Sequence, residues 1–257
     1  MVSIRRIERI CDFEKLPAIQ QDAWGFCDRD LEPYQLMTRV QKYGGLVLGL
    51  FLDQRLIGFN YSLLGKWRQE YFLYSHMLAI ERRFQGRGLG FRLKKQQRRE
   101  ALRMGYRLIR WSFDPLEALN AYFNIHRLGA VSNEYERNIY GEGGSGLHRH
   151  LPTDRLIALW RLDSPRITSR LRRKKPPLLE APPADRVGRF SGASAYVEIP
   201  RDIRSLKQGD INQARAWRLQ TRRQFETGFA RGFSARDVVQ TPDGRRIFFK
   251  LTTRADE

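Results

Sequence analysis

Residues 81–95, ERRFQGRGLGFRLKK, set glycines at 86, 88 and 90 among arginines and lysines, between a stretch with strand character and one with helical character. A strand, a turn of small residues and a helix N-terminus bind anions for physical reasons. Several backbone N–H groups converge with no side chain in the way, and the helix dipole adds partial positive charge. The phosphate-cradling pattern that ends in Gly-Lys-Ser or Gly-Lys-Thr fails, because no such lysine pair closes this turn, and G-x-G-x-x-G fails because the three glycines alternate strictly. A third pattern, Gln or Arg, two residues, Gly, one residue, then Gly or Ala, fits Gln85-Gly86-Arg87-Gly88-Leu89-Gly90 throughout. The chemistry on offer is main-chain capture of a phosphate-bearing group.

Other residues carry polar chemistry on either side. In EYFLYSHMLAI the two-residue period of a strand puts Glu70, Phe72, Tyr74 and His76 on one face. Imidazole is the side chain suited to proton transfer near neutral pH, although a strand histidine also serves as a hydrogen-bonded core or rim residue. Asp114 ends the next strand, Asn120, Tyr122, Asn124 and His126 lie on one helix, and Asp154-Arg155 enters the last strand. Arg155 offers a bidentate grip on a carboxylate; a structural Asp–Arg pair is the alternative. His126 also suits a helix end, where the dipole favours a cation. His148 and His150 invite a metal reading, but no acid or cysteine cluster nearby completes a site, so no metal is expected. Cys11 and Cys27 have neither metal-ligand spacing nor the density of a disulfide framework, and are expected to be packed, reduced thiols.

The elements that must position these groups follow from periodicity and punctuation. Residues 2–8 alternate as a strand, 12–24 and 32–43 have helical spacing, and Gly44-Gly45 ends the second helix. LVLGLFLDQRLIGFNYSLL reads as two strands around Asp53-Gln54-Arg55, and EYFLYSHMLAI as a third after a turn near residues 66–68. A basic helix at roughly 88–104 stops at Gly105; YRLIRWSF is a strand, LEALNAYFNIHRL a helix ended by Gly129, and AVSNEYERNIYG and DRLIALWRLD are strands. The order β-α-α-β-β-β-α-β-α-β-β predicts an α/β (α+β) fold, a mixed, mainly antiparallel sheet flanked by helices. Residues 1–163 are expected to form this domain, 164–194 a basic, proline-rich linker, and 195–257 a helix (209–230) and a hairpin around Pro242-Asp243-Gly244, packed on the main domain or at a dimer contact.

At 257 residues and 41% hydrophobic, the chain supports a sizeable core. It has no apolar run long enough to span a bilayer and begins without the apolar region of a secretory signal, which leads to the expectation of a soluble, cytoplasmic protein. The net charge of +19 raises nucleic acid as a partner. Residues 164–257 hold 21 basic and 10 acidic side chains, so most of the excess lies in the final third. Few aromatic side chains interleave with that basic stretch, so base stacking has little to use and nucleic acid is not the expected partner. Residues 82–110 carry 11 basic side chains against the single acid Glu100, which fits either a phosphate-bearing ligand or a solvated basic helix.

LAIERRFQGRGLG, the downstream NAYFNIHRLGA and the element order together resemble the GNAT superfamily of acyl-CoA N-acyltransferases over about residues 1–163. More narrowly, WSFDPLEALNAYFNIHRLGA, IYG, LPTDR and VEIPRDI resemble a bacterial group classed as acetyltransferases, with relatives linked to N-succinylation of amino acids. The resemblance implies that backbone amides of Gln85, Gly86, Arg87, Gly88, Leu89 and Gly90 hold the diphosphate of acetyl-CoA or succinyl-CoA. It implies that the pantetheine arm pairs along Leu78, Ala79 and Ile80, and that an amine attacks the thioester directly. Arg87, Arg92, Lys94 or Lys95 would meet phosphate, or stand solvated on the helix. The proton acceptor implied lies on the fourth strand, where His76 and Glu70 are the candidates, and the oxyanion donor is backbone near Leu78. The family's tyrosine acid, four residues before the glycine of the Leu-Gly step, is replaced here by Ile125. Tyr122, nearly a helical turn earlier, is the substitute candidate, or else packs in the helix–sheet interface. Asn120 and Asn124 would hydrogen-bond the pantetheine or its thiolate.

The resulting expectation is an N-acyltransferase acting on a small amine, an amino acid first, with Asp114, Asp154 and Arg155 binding the acceptor. A protein or peptide amine, or an acyl-CoA-binding fold that has lost catalysis, are the alternatives.

Overall fold

Asp53 and Gln54 both take left-handed φ, 45° and 69°, and that twist is what a two-residue β-hairpin requires between its strands. The computed structural model describes residues 1–141, 151–173, 182 and 186–253. The chain divides into two compact units, Met1–Trp111 and Ser112–Glu257.

The first unit holds β1 (Val2–Arg6), α1 (Ile10–Phe13), α2 (Leu16–Trp24), α3 (Tyr34–Lys42), β2 (Leu46–Leu52), β3 (Arg55–Trp67), β4 (Glu70–Ile80), α4 (Leu89–Arg103) and most of β5 (Leu108–Phe113). The helix expected over 12–24 is two helices, because Pro17 sits at the start of α2, where its missing N–H costs nothing. β1 to β4 pair antiparallel in sequence order and β5 joins β4 in parallel, giving the mixed, mainly antiparallel sheet expected. One face carries the apolar core, with Phe13, Leu16, Ile19 and Met37 of the helices against Val47, Phe51, Phe59 and Tyr61 of the strands. Each such buried side chain contributes about 1.5–3 kcal/mol through removal from water. On the opposite face α4 lies over Ser62 and Ser75, bonded through Gln97 and Lys94.

The second unit holds α5 (Ala118–Ala121), continued by a π-helical segment Tyr122–Arg127, then β6 (Tyr135–Glu136), β7 (Arg155–Arg161), α6 (Pro165–Arg172), β8 (Ser194–Ile199), α7 (Ile203–Gly209), α8 (Ile211–Ala230), β9 (Ser234–Gln240) and β10 (Ile247–Thr252). The long strand expected over 130–141 is only the two-residue β6, paired with β7, plus single bridges from Val131 and Ser132. β8, β10 and β9 form an antiparallel three-stranded sheet, with the expected hairpin between β9 and β10. Phe225 of α8 packs against Tyr135 and Phe249, ring centroids 5.9 and 5.2 Å apart.

The linker expected over 164–194 carries α6, started by Ser164, whose hydroxyl accepts the N–H of Ile167, with Pro165 in the first turn. Nor does the division of the chain fall near residue 163. Residues of the tail are bonded to the segment after Trp111 through a buried polar network described below, which makes them one unit. The cysteines also depart from expectation: both are free and exposed, Cys11 accepting from Arg9 and Cys27 donating to Asp30. No described helix is long and apolar enough to cross a membrane.

Candidate functional site

The glycine turn forms between β4 and α4. Gly86 and Gly88 take φ of 75° and 73°, and Gly88 is the N-cap of α4. A methyl group placed on either glycine would meet no heavy atom within 4 Å, so their space opens outward rather than onto packed protein. Glycine takes this left-handed backbone more readily than residues with a Cβ, and the first amides of α4 have no intrahelical acceptors. Gln85 anchors the turn, its side-chain amide donating to the carbonyl of Ile80 at 2.8 Å. Arg87 is exposed beside the Phe84 ring, and Arg92 donates to the carbonyl of Val2 at 3.2 Å. The residues of the turn fit an anion held by main chain at a helix N-terminus.

β4 changes partner along its length. Its parallel pairing with β5 consists of Leu73 opposite Ile109 and Tyr74 opposite Arg110, whereas its pairing with β3 runs from Glu70 to Ile80. Leu78, Ala79 and Ile80 therefore lie on a part of β4 past its β5 ladder. The register with β3 slips between Tyr61 and Ser62: Ser75 opposes Ser62, Met77 opposes Tyr61, and His76 is the extra residue of a β-bulge. Tyr74 and His76 keep the two-residue period, their ring centroids 6.3 Å apart, and the bulge interrupts it only beyond His76. Glu70 stands at the far end of β4, six residues away and about 20 Å by strand rise. It borders a shallow hollow with Leu64, Tyr71 and Tyr106.

Around the bulge the structure assembles residues that the sequence does not join. His76 Nε2 lies 3.5 Å from Glu32 Oε2, and its ring meets Tyr61 edge-on with centroids 5.9 Å apart. The Tyr61 hydroxyl is buried with no hydrogen-bond partner among the described residues, and burial, with Glu32 adding to it, pushes its pKa well up. A carboxylate, an imidazole and a phenol on one side of the bulge can take a proton from an ammonium or amine and hold it. On the other face Lys94, 3% exposed, donates to Ser75 Oγ at 2.9 Å and sits 3.9 Å over the Trp111 ring. Burial lowers its pKa to about 7. Asn60, Ser62 and Gln97 extend this buried polar ladder. Lys94 is thus placed in the interior, and of the basic residues weighed for phosphate contact Arg87 is the one beside the turn.

In the second unit, Asp114, Asp154 and Arg155 do come together, though as parts of a closed network. Arg218 grips both oxygens of Asp114, Arg222 grips both oxygens of Asp154 at 2.7 and 2.8 Å, and Tyr135 donates to Asp154 at 2.7 Å. Arg155 lies 3.9 Å from Asp114. Burial alone would raise both carboxyls; the arginine charges and hydrogen bonds outweigh it and hold them below the usual range. These three residues already have protein partners for the contacts a ligand would use.

Tyr122 begins the π-helical segment and stacks on His126, centroids 5.0 Å apart. His126 is fully buried, with Nδ1 2.6 Å from Asp237 of β9, which also accepts from Arg170. Ile125 is fully buried in the core, Asn124 is 6% exposed and Asn120 is exposed. Among the described residues no group of three or more His, Cys, Asp and Glu side chains is placed to hold a metal. His148 and His150 lie outside the described residues.

No family model matches the chain and no curated protein matches it in sequence. Solved structures do match. A protein assigned as a GNAT-family acetyltransferase from Desulfovibrio desulfuricans gives a TM-score of 0.52 at 17% identity, over 63% of this chain and 99% of that one. The ribosomal-protein-S18-alanine N-acetyltransferase of Escherichia coli gives 0.51 at 19% identity, over 64% and 96%. Aminoglycoside 6'-acetyltransferase type Ii gives 0.50 at 14%, over 63% and 98%. At these identities the likeness is one of fold: the chain has the fold of GNAT acetyltransferases. Over a third of it lies outside each match. None of the three names speaks of succinyl transfer.

Glu32 and Tyr61 are the residues that sequence reasoning missed. Their signal was weak, since neither sits in a motif and both lie far from His76 along the sequence.

Proposed function

We propose that the protein is an acyl-CoA-dependent N-acyltransferase that moves an acetyl group to the primary amine of a small metabolite, with an amino acid as the first acceptor class and succinyl-CoA as the alternative donor. The observation that carries this reading is the turn at Gly86 and Gly88, left-handed and open over the N-terminus of α4, at the end of a strand whose pairing with β5 stops at Tyr74. The fold shared with acetyltransferases supports it.

In this reading the amides of the turn bind the diphosphate of the donor, and Leu78 to Ile80 offer main-chain groups to its arm. His76 takes the proton from the attacking amine, with the Glu32 carboxylate 3.5 Å from its Nε2. Backbone N–H near Leu78 meets the oxyanion. Tyr122 is the group assigned to the leaving thiolate.

Thermal melting with acetyl-CoA is the first test. A ligand at about 100 times its Kd stabilises a native protein by roughly 2.7 kcal/mol, so the melting temperature should rise by several degrees. Thiol release is then followed across free amino acids, simple amines and short peptides with acetyl-CoA and succinyl-CoA. An unchanged melting temperature with both donors would end the reading.

A further inference from the structure

The second unit contains a cavity of about 610 Å³ whose lining residues, Tyr122 apart, have no part in the acyltransferase reading. Its walls are Ala118 and Leu119 of α5, Ile203 of α7, Val238 of β9 and Ile247 of β10, with Tyr122 on the same lining. That volume is in the range of small-molecule sites, which are mostly apolar with a few placed polar groups. Leu119 is 82% exposed, an apolar side chain in water where a bound apolar group would cover it.

The polar groups of the lining are Glu117, Tyr122, Arg201, Asp202, Arg204 and Gln240, of which four are charged. The acids are committed. Asp202 caps α7, accepting from the amides of Arg204 and Ser205 and from the Ser205 hydroxyl, and both Glu117 oxygens accept from Arg204 Nε at 3.2 and 3.0 Å. The donors are less so: Arg201 acts on Asp243 through its charge, and Arg204 spends only Nε on Glu117, so among the described residues their terminal nitrogens remain for a ligand. An apolar chamber edged by surplus guanidinium donors matches one ligand chemistry, an apolar body that carries a carboxylate.

We infer that this cavity binds a small amphipathic carboxylate, its apolar part against Leu119, Val238 and Ile247 and its carboxylate on Arg201 and Arg204. Tail residues supply most of the walls, which gives the C-terminal elements a binding role of their own. The inference shares Tyr122 with the acyltransferase reading but does not depend on it, because it concerns binding and needs no donor. The same chemistry has two sources, an amino acid or an acid without an amine.

Calorimetric titration of the full chain with L-phenylalanine, 3-phenylpropionate and phenethylamine tests it. The two carboxylates should bind at least about ten-fold more tightly than the amine, the size of one or two charge-assisted hydrogen bonds. Arg201→Ala, at an exposed position that the fold tolerates, should weaken the carboxylates by a similar factor and leave phenethylamine unchanged. Equal binding of all three, no effect of Arg201→Ala, or no binding at millimolar ligand would overturn the inference. The aliphatic set L-leucine, 4-methylpentanoate and isoamylamine repeats the comparison with a smaller apolar group and should rank the same way. With acetyl-CoA added, thiol release on L-phenylalanine assigns the site to an acceptor. Carboxylate binding without release assigns it to a non-reacting acid. Either result upholds the site, whereas absence of an acetyl-CoA melting shift bears only on the acyltransferase reading.

Discussion

Arg218 closes on both carboxylate oxygens of Asp114, at 2.7 and 2.8 Å, across 104 residues of chain, with the arginine 1% and the aspartate 9% exposed. The pair joins the end of β5 to the middle of α8. Taking two charges out of water costs nearly as much as their attraction returns, yet removing one partner strands the other.

Arg218→Met should therefore destabilise the protein by about 3–5 kcal/mol in urea unfolding, while Asp114→Asn combined with Arg218→Met should recover much of the loss. Equal loss in the single and double variants would show that packing of the arginine stem, and not the charge pair, is what matters.

Asp114, Asp154 and Asp237 are all held below the usual carboxylate range. Burial opposes this at each site, and it is outweighed by Arg218 at Asp114, by Arg222 and Tyr135 at Asp154, and by His126 and Arg170 at Asp237. Groups lowered in the folded state stabilise it above their unfolded value, about 3.9, and lose that contribution as pH falls through the folded value. Stability measured by urea unfolding should hold between pH 7 and 5 as far as these groups are concerned and drop steeply below about pH 4. Asp114→Asn should flatten part of that drop.

Lys94 gives the opposite slope. Burial lowers its folded pKa to about 7 from an ordinary 10.5. Between those values the unfolded chain binds the proton and the folded chain does not, so stability rises with pH across that window. Lys94→Met should gain on the wild type most below pH 7, and the gap should shrink steadily towards pH 10. A pH-independent gap would mean that the amine stays charged over Trp111.

Gly88→Ala should cost roughly 1–2 kcal/mol, since its φ of 73° strains any residue with a Cβ although the added methyl meets nothing. Gly88→Asn should cost less, because asparagine tolerates this conformation, while still filling the turn. Weaker acetyl-CoA binding in both, measured by calorimetry, is the expected result; tight binding by the asparagine variant would remove the turn as the anion site.

His76→Gln should lower kcat by about 100-fold or more with acetyl-CoA and a working acceptor, the usual contribution of a positioned base. Glu32→Gln should lower it less. Wild-type turnover by the first variant would dismiss the histidine as the proton acceptor.

The legible parts of this molecule were those fixed by neighbours in sequence. Gln85 to Gly90 announced a turn because alternate glycines before a helix have few other backbone uses, and the strands from Leu46 to Ile80 alternate strongly enough to be placed. His76 was legible in its place beside Tyr74 but not in the bulge it forms, which depends on Ser75 pairing with Ser62 and Met77 with Tyr61. Arg218 and Arg222, one helical turn apart on α8, counted towards the positive charge that suggested an anionic partner. In the folded chain they neutralise Asp114 and Asp154, so part of that charge is spent internally. Position along the sequence could not reveal which cations face inward.

Counting back from Gly129 finds Ile125 where a tyrosine was sought, and the helix that carries it is not ordinarily wound. Through Tyr122–Arg127 the amide of Leu128 reaches the carbonyl of Phe123 and that of Ala130 reaches Asn124, so this helix takes in more residues per turn than an α-helix. The extra residue works as an angular offset: everything before it is rotated, by about 100° for one residue of α-helix, against everything after. A one-residue deletion within the segment would return the helix to ordinary winding and swing Tyr122 away from its place against His126. The spacing of side chains here is therefore sensitive to length more than to composition, and a shorter chain with the same residues would present a different surface.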